Sequence, residues 1–345
     1  MAVPMELTLR KEKILASVIT GFIQNGEPVG SKVIAEEIGV SSATVRNEMA
    51  SLTELGLLEQ PHTSAGRVPS QKGYREYVDR LMQVPELNPV QKQRIDAYLA
   101  PGMYDSEQLL LRTVQTAAAL SRCTAAVTTP GGPGARVKAV QLVQTSRRTA
   151  MLLIMSSAGT MKSRVFRCDF NLTNDILRVF FRLFNERLTG KCVSEITPAF
   201  LQSLGASLGE MYSLIGAPLR ALLEAASDTA HTDILLAGQM NLFLCPELST
   251  TGARRVLDFL ERREELFSLL NQKPGRVTAL IGRECGWPEL ENISLLTARY
   301  RVEGQDAGAV MVAGPVRMDY PRLTAILRYL SETISEQLTL LAGEE

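Results

Sequence analysis

The apolar positions of the first sixty residues recur at helical spacing in three short segments. The first segment runs from about Leu9 to Gln24, the second follows Ser31, and the third follows Ser41 or Ser42. A glycine closes each segment. Two short helices joined across a glycine-containing turn of a few residues are typical of a helix-turn-helix.

Extended, turn-rich sequence follows the third segment. Residues 57–60 and 67–69 are strand-like, and residues 61–66 between them are rich in turn formers, which predicts a small hairpin wing. A helix is predicted over 71–82, and Pro89 starts another that reaches about Leu99. We therefore predict a winged-helix domain over residues 1–85 and a linker helix within residues 86–105.

Beyond residue 106 short strand-like runs alternate with helices, so the chain is predicted to be an α+β multidomain protein. Helical periodicity marks 106–121, 173–188 and 320–341; β-like runs mark 124–129, 137–143, 150–155, 161–168, 277–282, 293–302 and 308–313. Residues 190–270 are largely helical, including one helix over 254–270. We predict an α/β domain of residues 106–189 and 271–345, interrupted by a mainly helical insertion over 190–270.

The third helix carries candidate DNA-reading chemistry. Its apolar positions, Val45, Met49 and Leu52, fall on one side, and small or polar residues fall on the other. Small residues let a helix enter the major groove, arginine can bind guanine, and asparagine can bind adenine. A solvated helix with one Arg and one Asn is the alternative. The candidate DNA-binding residues here are Ser42, Ala43, Thr44, Arg46 and Asn47.

The wing and the start of the next helix favour the DNA-binding interpretation. Residues 60–75 contain three cations and no acid. Hydrogen-bond donors without carboxylates suit phosphate contact, Gly66 permits close approach, and an arginine at the wing tip could enter a minor groove. The candidate residues of this segment are His62, Thr63, Ser64, Arg67, Lys72 and Arg75.

Charge limits how such a domain can bind. The chain of 345 residues has 37 Lys and Arg and 37 Asp and Glu, so its formal net charge is zero. Residues 1–82 hold nine basic and ten acidic side chains. Any DNA contact must therefore come from a local cluster, with the acids facing away. Two linked copies would compensate for the few phosphate contacts of one.

Other chemistry is weakly represented. The two histidines, His62 and His231, are far apart, and the five cysteines form no CxxC pair. The sequence lacks the P-loop and HExxH patterns. We predict no enzyme activity, no metal and no cofactor. No apolar run reaches the ~18 residues of a membrane span, and residues 1–10 lack a signal-peptide core. We therefore expect a cytoplasmic protein with no membrane partner.

Several motifs resemble one family. Residues 42–49, Pro61-His62-Thr63-Ser64-Ala65-Gly66-Arg67-Val68-Pro69 and 72–75 resemble the HrcA family of heat-inducible transcription repressors, and so do 238–242, 246–248, 281–284 and 314–320. The resemblance implies a winged helix, a GAF-like domain and an inserted dimerising domain. It further implies that a homodimer binds a double-stranded inverted repeat called CIRCE, represses chaperone operons, and depends on the GroEL-type chaperonin.

Two other functions stay open at this level. The GAF-like domain could be a metabolite sensor, which a convergent polar cluster around an apolar pocket would favour. The winged helix could instead bind protein, which acidic residues on the exposed face of the third helix would favour. Arg283 and Glu284 fit either a ligand pair or, more simply, a structural pair at a strand end.

Overall fold

The N-terminal part of the chain is a bundle of short helices closed by a two-stranded ribbon. The computed structural model describes residues 7–62, 65–100, 105–132, 135–157, 159–206, 212–272 and 275–343. The N-terminal elements are α1 (Leu9–Asn25), α2 (Ser31–Ile38), α3 (Ser42–Glu54), β1 (Leu58–Glu59), β2 (Val68–Pro69), α4 (Gln71–Glu76, continued by a π-helical turn over Tyr77–Leu81) and α5 (Pro89–Leu99). The helices and strands predicted for this part are confirmed.

Local signals explain where these helices begin. The hydroxyls of Thr8, Ser41 and Ser70 accept hydrogen bonds from the first turns of α1, α3 and α4. Asn88 and Gln91 form a reciprocal capping box ahead of Pro89, which starts α5. The predicted linker helix therefore has a defined start.

A five-stranded antiparallel sheet organises the C-terminal part. Its strands lie in the order β7-β3-β10-β9-β8. Its elements are α6 (Ser106–Ser121), β3 (Thr124–Thr128), β7 (Ile234–Ala237), α10 (Thr250–Leu260), α11 (Arg263–Asn271), β8 (Val277–Ile281), β9 (Ile293–Val302), β10 (Gln305–Pro315) and α12 (Tyr320–Gly343). Helices α6 and α12 pack on one face, and α10 and α11 share a core with the other face.

A second unit interrupts this sheet between β3 and β7, which are hydrogen-bonded neighbours. Its elements are β4 (Val137–Gln144), β5 (Thr149–Ser156), β6 (Met161–Arg167), α7 (Asn174–Leu188), α8 (Pro198–Ala206) and α9 (Tyr212–Ala230). The three strands form their own sheet, and the helices bury a separate core against it. The insertion therefore lies between Thr129 and Asp233, whose backbones are hydrogen-bonded.

The predicted insertion of residues 190–270 does not match this division. Strands β4 to β6 belong to the insertion, and β7, α10 and α11 belong to the main domain. Two further predictions are wrong for local reasons. The helix expected over 254–270 breaks after Leu260, and Arg263 begins a new helix. The four residues of β7 were missed because so short a run carries little periodicity.

The winged helix packs directly on the C-terminal domain. One apolar core joins α1, α3 and α4 with α6, α12 and the main sheet. Tyr74 of α4 lies against Tyr320 at the start of α12, with ring centroids 5.9 Å apart. This contact fixes which face of the N-terminal part is turned to solvent.

Candidate nucleic-acid interface

Helix α3 is held as the second helix of a helix-turn-helix. Ser41 caps it by accepting the amide of Thr44 at 3.1 Å. The hydroxyls of Ser31 and Ser42 lie 3.0 Å apart and join the first turns of α2 and α3. The buried side chains of α3, Val45, Met49 and Leu52, belong to the core that includes α1. Their spacing turns the opposite side of α3 outward.

The outward side of α3 presents the residues that the sequence predicted for base reading. Ala43, Arg46 and Asn47 are exposed. In the described part of the chain, the side chains of Arg46 and Asn47 form no hydrogen bond or ion pair. Both are therefore available to a ligand. The Thr44 hydroxyl lies 2.9 Å from the Ser41 hydroxyl and belongs to the cap.

Several acidic side chains of this domain are paired with its own cations. Glu48 of α3 lies 3.9 Å from both Arg10 and Lys11 of α1. Glu12 and Glu76 both lie within 4 Å of Arg80. These pairs offset part of the negative charge, whereas Arg46 has no ion-pair partner among the described residues and keeps its positive charge exposed on the outward side of α3.

The wing is anchored to the loop between α1 and α2. Arg67 and Val29 exchange two backbone hydrogen bonds of 2.9 Å, which adds a third short segment beside β1 and β2. A Cβ at Gly66 would lie 2.3 Å from the Val29 carbonyl oxygen. Gly66 therefore serves close backbone packing between the wing and Val29, and the phosphate approach expected from the sequence stays a prediction.

The wing residues predicted to meet DNA occupy different environments. His62 is exposed, and Thr63 and Ser64 lie outside the described residues. Arg67 is not at the wing tip, because its backbone is paired with Val29 and its Nε donates to the Thr53 hydroxyl at 3.1 Å. The half-buried Arg67 side chain thus braces the wing against α3.

Two cations of α4 are bonded to other parts of the chain. The Lys72 ammonium donates to the Leu55 carbonyl at 3.0 Å, beyond the last turn of α3. Arg75 donates through Nε to Glu284 at 2.8 Å and through Nη1 to Asp79 at 2.9 Å. Burial alone would lower the pKa of Arg75, but its hydrogen bonds to these carboxylates raise it above the ordinary value.

Arg75 is therefore committed to the joint between the two parts of the chain. Its Nη2 also donates to the Ala279 carbonyl at 2.8 Å. Every guanidinium nitrogen of Arg75 already has a protein acceptor, which disfavours the predicted contact with DNA. Glu284 takes the structural role, with Arg75 as its partner; Arg283 pairs with Glu291 instead.

One candidate was missed by the sequence reasoning. Lys32 is exposed in the first turn of α2, and within the described residues its side chain has no hydrogen bond or ion pair. The Ser31–Ser42 contact brings this turn beside the start of α3. A cation at that position suits a phosphate flanking the groove that α3 would enter. Its sequence signal is weak, since a lysine one residue inside a helix is common.

Comparisons with known proteins match this arrangement. The family model described as "Winged helix-turn-helix transcription repressor, HrcA DNA-binding" matches residues 6–80, and the model "HrcA protein C terminal domain" matches residues 107–324. The chain belongs to the HrcA family. This family consists of transcription repressors and not of enzymes.

Individual relatives align over nearly the whole length. The heat-inducible transcription repressor HrcA of Desulforudis audaxviator is 34% identical over 340 residues, which cover 97% of this chain and 98% of that protein. HrcA of Carboxydothermus hydrogenoformans is 34% identical over 330 residues, 95% of this chain and 97% of that protein. A solved structure titled as a hypothetical protein at 2.2 Å resolution is 25% identical, with a TM-score of 0.67, and covers 97% of this chain and 100% of its own.

Two further properties of the described residues concern ligands and membranes. Among them, no group of three or more His, Cys, Asp or Glu side chains is arranged to hold a metal ion. The helices of this part of the HrcA chain all fall short of the length and apolar character that crossing a membrane requires.

Proposed function

We propose that this HrcA-family chain represses chaperone operons by binding a CIRCE inverted repeat as a homodimer, in the cytoplasm and under the influence of the GroEL-type chaperonin. The observation that carries the DNA-binding part is the pair Arg46 and Asn47, exposed and without partners in the described residues on the outward side of α3. The operator, the chaperonin and the heat-shock role rest on the family resemblance.

The geometry of α3 suggests how sequence would be read. Arg46 can donate two hydrogen bonds to guanine, and Asn47 can exchange two with adenine. Ala43, one turn before Asn47, leaves room for the helix in the major groove. Lys32, His62, Thr63 and Ser64 are candidates for phosphate contact around this helix. An adaptor function is less favoured, because the outward side of α3 carries Arg46, an exposed cation.

An inverted repeat calls for a two-fold symmetric protein. The insertion offers an apolar surface for one, namely the face of its three-stranded sheet opposite the helices. Val165, Met161 and Val143 are 66%, 59% and 48% exposed there, and Met151 and Met155 lie between them on β5. We propose that this sheet face, and not a helical segment over 190–270, buries against a second copy.

The main domain is proposed to be GAF-like. Counted within that domain alone, its strands lie in the order 2-1-5-4-3, and the insertion falls between the first and second strands. An insertion at a tight strand connection leaves the pairing of the sheet intact. The dimerising unit can therefore project from the sheet without changing how the winged helix packs on it.

Binding to a labelled CIRCE duplex tests the main proposal. Full-length protein should bind this duplex more tightly than a scrambled duplex of equal length, and added chaperonin should strengthen that binding. Arg46→Ala removes the exposed cation of α3, and Lys13→Ala is its matched control because it removes an exposed cation of α1. Equal affinity for the two duplexes would refute the operator, and an unchanged affinity with chaperonin would refute its role.

Replacing the insertion tests the dimer. Thr129 and Asp233 are bonded through their backbones, so a short Asn-Gly hairpin can replace residues 131–231 without moving β3 or β7. The shortened protein should sediment as a monomer and bind the duplex weakly. Val165→Lys with Met161→Lys, at exposed positions of the sheet face, should have the same effect. A shortened protein that folds and remains a dimer would assign the interface to another domain.

A further inference from the structure

A cavity of about 800 Å³ lies where the winged helix meets the C-terminal domain. The C-terminal end of α1 forms one wall, and the segment 241–248 forms another. The start of β3, the end of β10 and the start of α12 complete it. Neither DNA reading by α3 nor pairing through the insertion uses this space. Its volume is within the range of sites for small organic molecules.

The floor of the cavity is apolar. Leu242, Ile293, Ala313 and Leu323 line it and are buried. Apolar walls with a few convergent polar groups are the usual composition of a small-molecule site. An occupant must therefore have an apolar body large enough to contact these side chains.

The rim of the cavity adds positive charge. It carries three arginines, Arg122, Arg317 and Arg322, against two acids, Glu247 and Asp319. Arg317 is paired with Glu247, and Arg322 donates to the Leu120 carbonyl at 3.1 Å. Asp319 accepts the Arg322 amide at the start of α12 and forms no ion pair among the described residues.

Among the described residues, the Arg122 side chain has no bonded partner, unlike those of Arg317 and Arg322. Arg122 ends α6 in the left-handed conformation, with φ of 56°, which a non-glycine residue adopts only at some cost. An anionic group at the mouth of the cavity would give this guanidinium a charged acceptor.

The cavity also touches the joint that holds the winged helix. Arg317 donates to the Ile23 carbonyl at 3.2 Å, near the end of α1, and pairs with Glu247 on the other side. An anion in the cavity competes with Glu247 for Arg317 and so changes the restraint on α1. A ligand that binds the two arrangements of this joint differently shifts the balance between them.

We infer that this cavity is an effector site for an organic anion with an apolar body, held by Arg122 and coupled through Arg317 to the position of the winged helix. This goes beyond DNA binding and dimerisation, and it assigns the sensing role to the joint between the domains. The expected occupant is an aromatic or branched carboxylate or sulfonate, because those combine one charge with a compact apolar body.

The binding test uses the full-length protein and the fluorescent anion 8-anilinonaphthalene-1-sulfonate, with neutral N-phenyl-1-naphthylamine as its matched probe. Arg122→Gln should weaken binding of the anion about tenfold, the effect of one charge-assisted hydrogen bond, and leave the neutral probe unchanged. Arg220→Gln is the control, since Arg220 is an exposed arginine of α9 in the insertion. Equal affinities of the two variants for the anion would overturn the site.

The coupling test measures affinity for the CIRCE duplex with and without saturating anion. The affinity of the unaltered protein for the duplex should change about fivefold when the anion is added, and that of Arg122→Gln should stay the same at the same anion concentration. An unaltered protein that binds the anion through Arg122 and keeps its duplex affinity would overturn the coupling. A protein that binds no duplex at all would refute the proposed function, and the probe measurement would still decide the site.

Discussion

Replacing Arg75 by methionine separates a role at the domain joint from a role in DNA binding. Methionine keeps most of the aliphatic stem and removes the guanidinium. That group bonds to Glu284, Asp79 and the Ala279 carbonyl, so the substitution removes the polar part of this joint. We expect a loss of stability, with DNA contacts at α3 left in place.

The magnitude follows from burial and geometry. The side chains of Arg75 and Glu284 are 23% and 33% exposed, and the pair is bidentate. Their coupling should lie between the ~0.2–1 kcal/mol of exposed pairs and the ~3–5 kcal/mol lost on breaking buried ones, at about 1–2 kcal/mol. Asp79 is 53% exposed and one turn away, so its pair adds only about 0.3–0.5 kcal/mol.

A double-mutant cycle measures the coupling. Unfolding by urea is followed for Arg75→Met, Glu284→Gln and the double variant, using the fluorescence of Trp287, which lies three residues beyond Glu284. Glu284→Gln retains a carbonyl oxygen for the Ile281 amide, which the Glu284 carboxylate now accepts at 3.0 Å. Lys13→Met removes one exposed charge from α1 and should have little effect.

The salt dependence of duplex binding supplies the second readout. Each lost phosphate contact lowers the slope of log affinity against log salt by about one. Arg75→Met should leave this slope unchanged. A coupling near zero together with a slope reduced by one would show that Arg75 leaves Glu284 and binds a phosphate, and the reasoning from the joint would be wrong.

Three further predictions concern base reading, packing and pH. Arg46→Ala and Asn47→Ala should each reduce discrimination between operator and scrambled duplex by about 1–3 kcal/mol in competition binding; equal losses on both duplexes would indicate phosphate contact alone. Gly73→Ala should lower the unfolding free energy by about 2 kcal/mol or more, because its Cβ would lie 2.1 Å from the Leu57 carbonyl oxygen. Gly216→Ala, in a helix with open space, should raise the unfolding free energy by up to about 1 kcal/mol, and similar effects of the two substitutions would refute the clash. Burial raises the pKa of Glu247, but hydrogen bonds from Cys245 and Arg317 lower it by more, so the folded pKa is below the ordinary value near 4.5. The contribution of Glu247 to stability is therefore full above the ordinary pKa and is lost as the pH falls through the lower folded value. The melting-temperature difference between the unaltered protein and Glu247→Gln should shrink below about pH 4, and a constant difference would contradict this.

The sequence by itself determined the elements of the winged helix and the family. Caps such as Ser41, the Asn88 box and the spacing of Val45, Met49 and Leu52 act within one or two helical turns, so they can be identified without the fold. The outward position of Arg46 and Asn47 follows from the same periodicity, since a buried stripe on one side of a helix fixes the other side.

Only the tertiary structure decided which distant segments meet. Strands β3 and β4 look alike as apolar runs, yet they pair in different sheets. The insertion therefore lies between Thr129 and Asp233, whereas the sequence predicted residues 190–270. Register and sheet membership depend on contacts across a hundred residues, for which a single sequence gives no signal.

The same distinction applies to the candidate site. Arg75 and Arg67 were chosen as cations near a turn, but Glu284 lies 209 residues beyond Arg75, and Thr53 is reached only when the wing folds back on α3. From the sequence alone every cation can be assigned to DNA, because its partners from distant segments are seen only in the folded structure. Local periodicity therefore determined which face of α3 is outward, and long-range packing decided which cations remain free to use it.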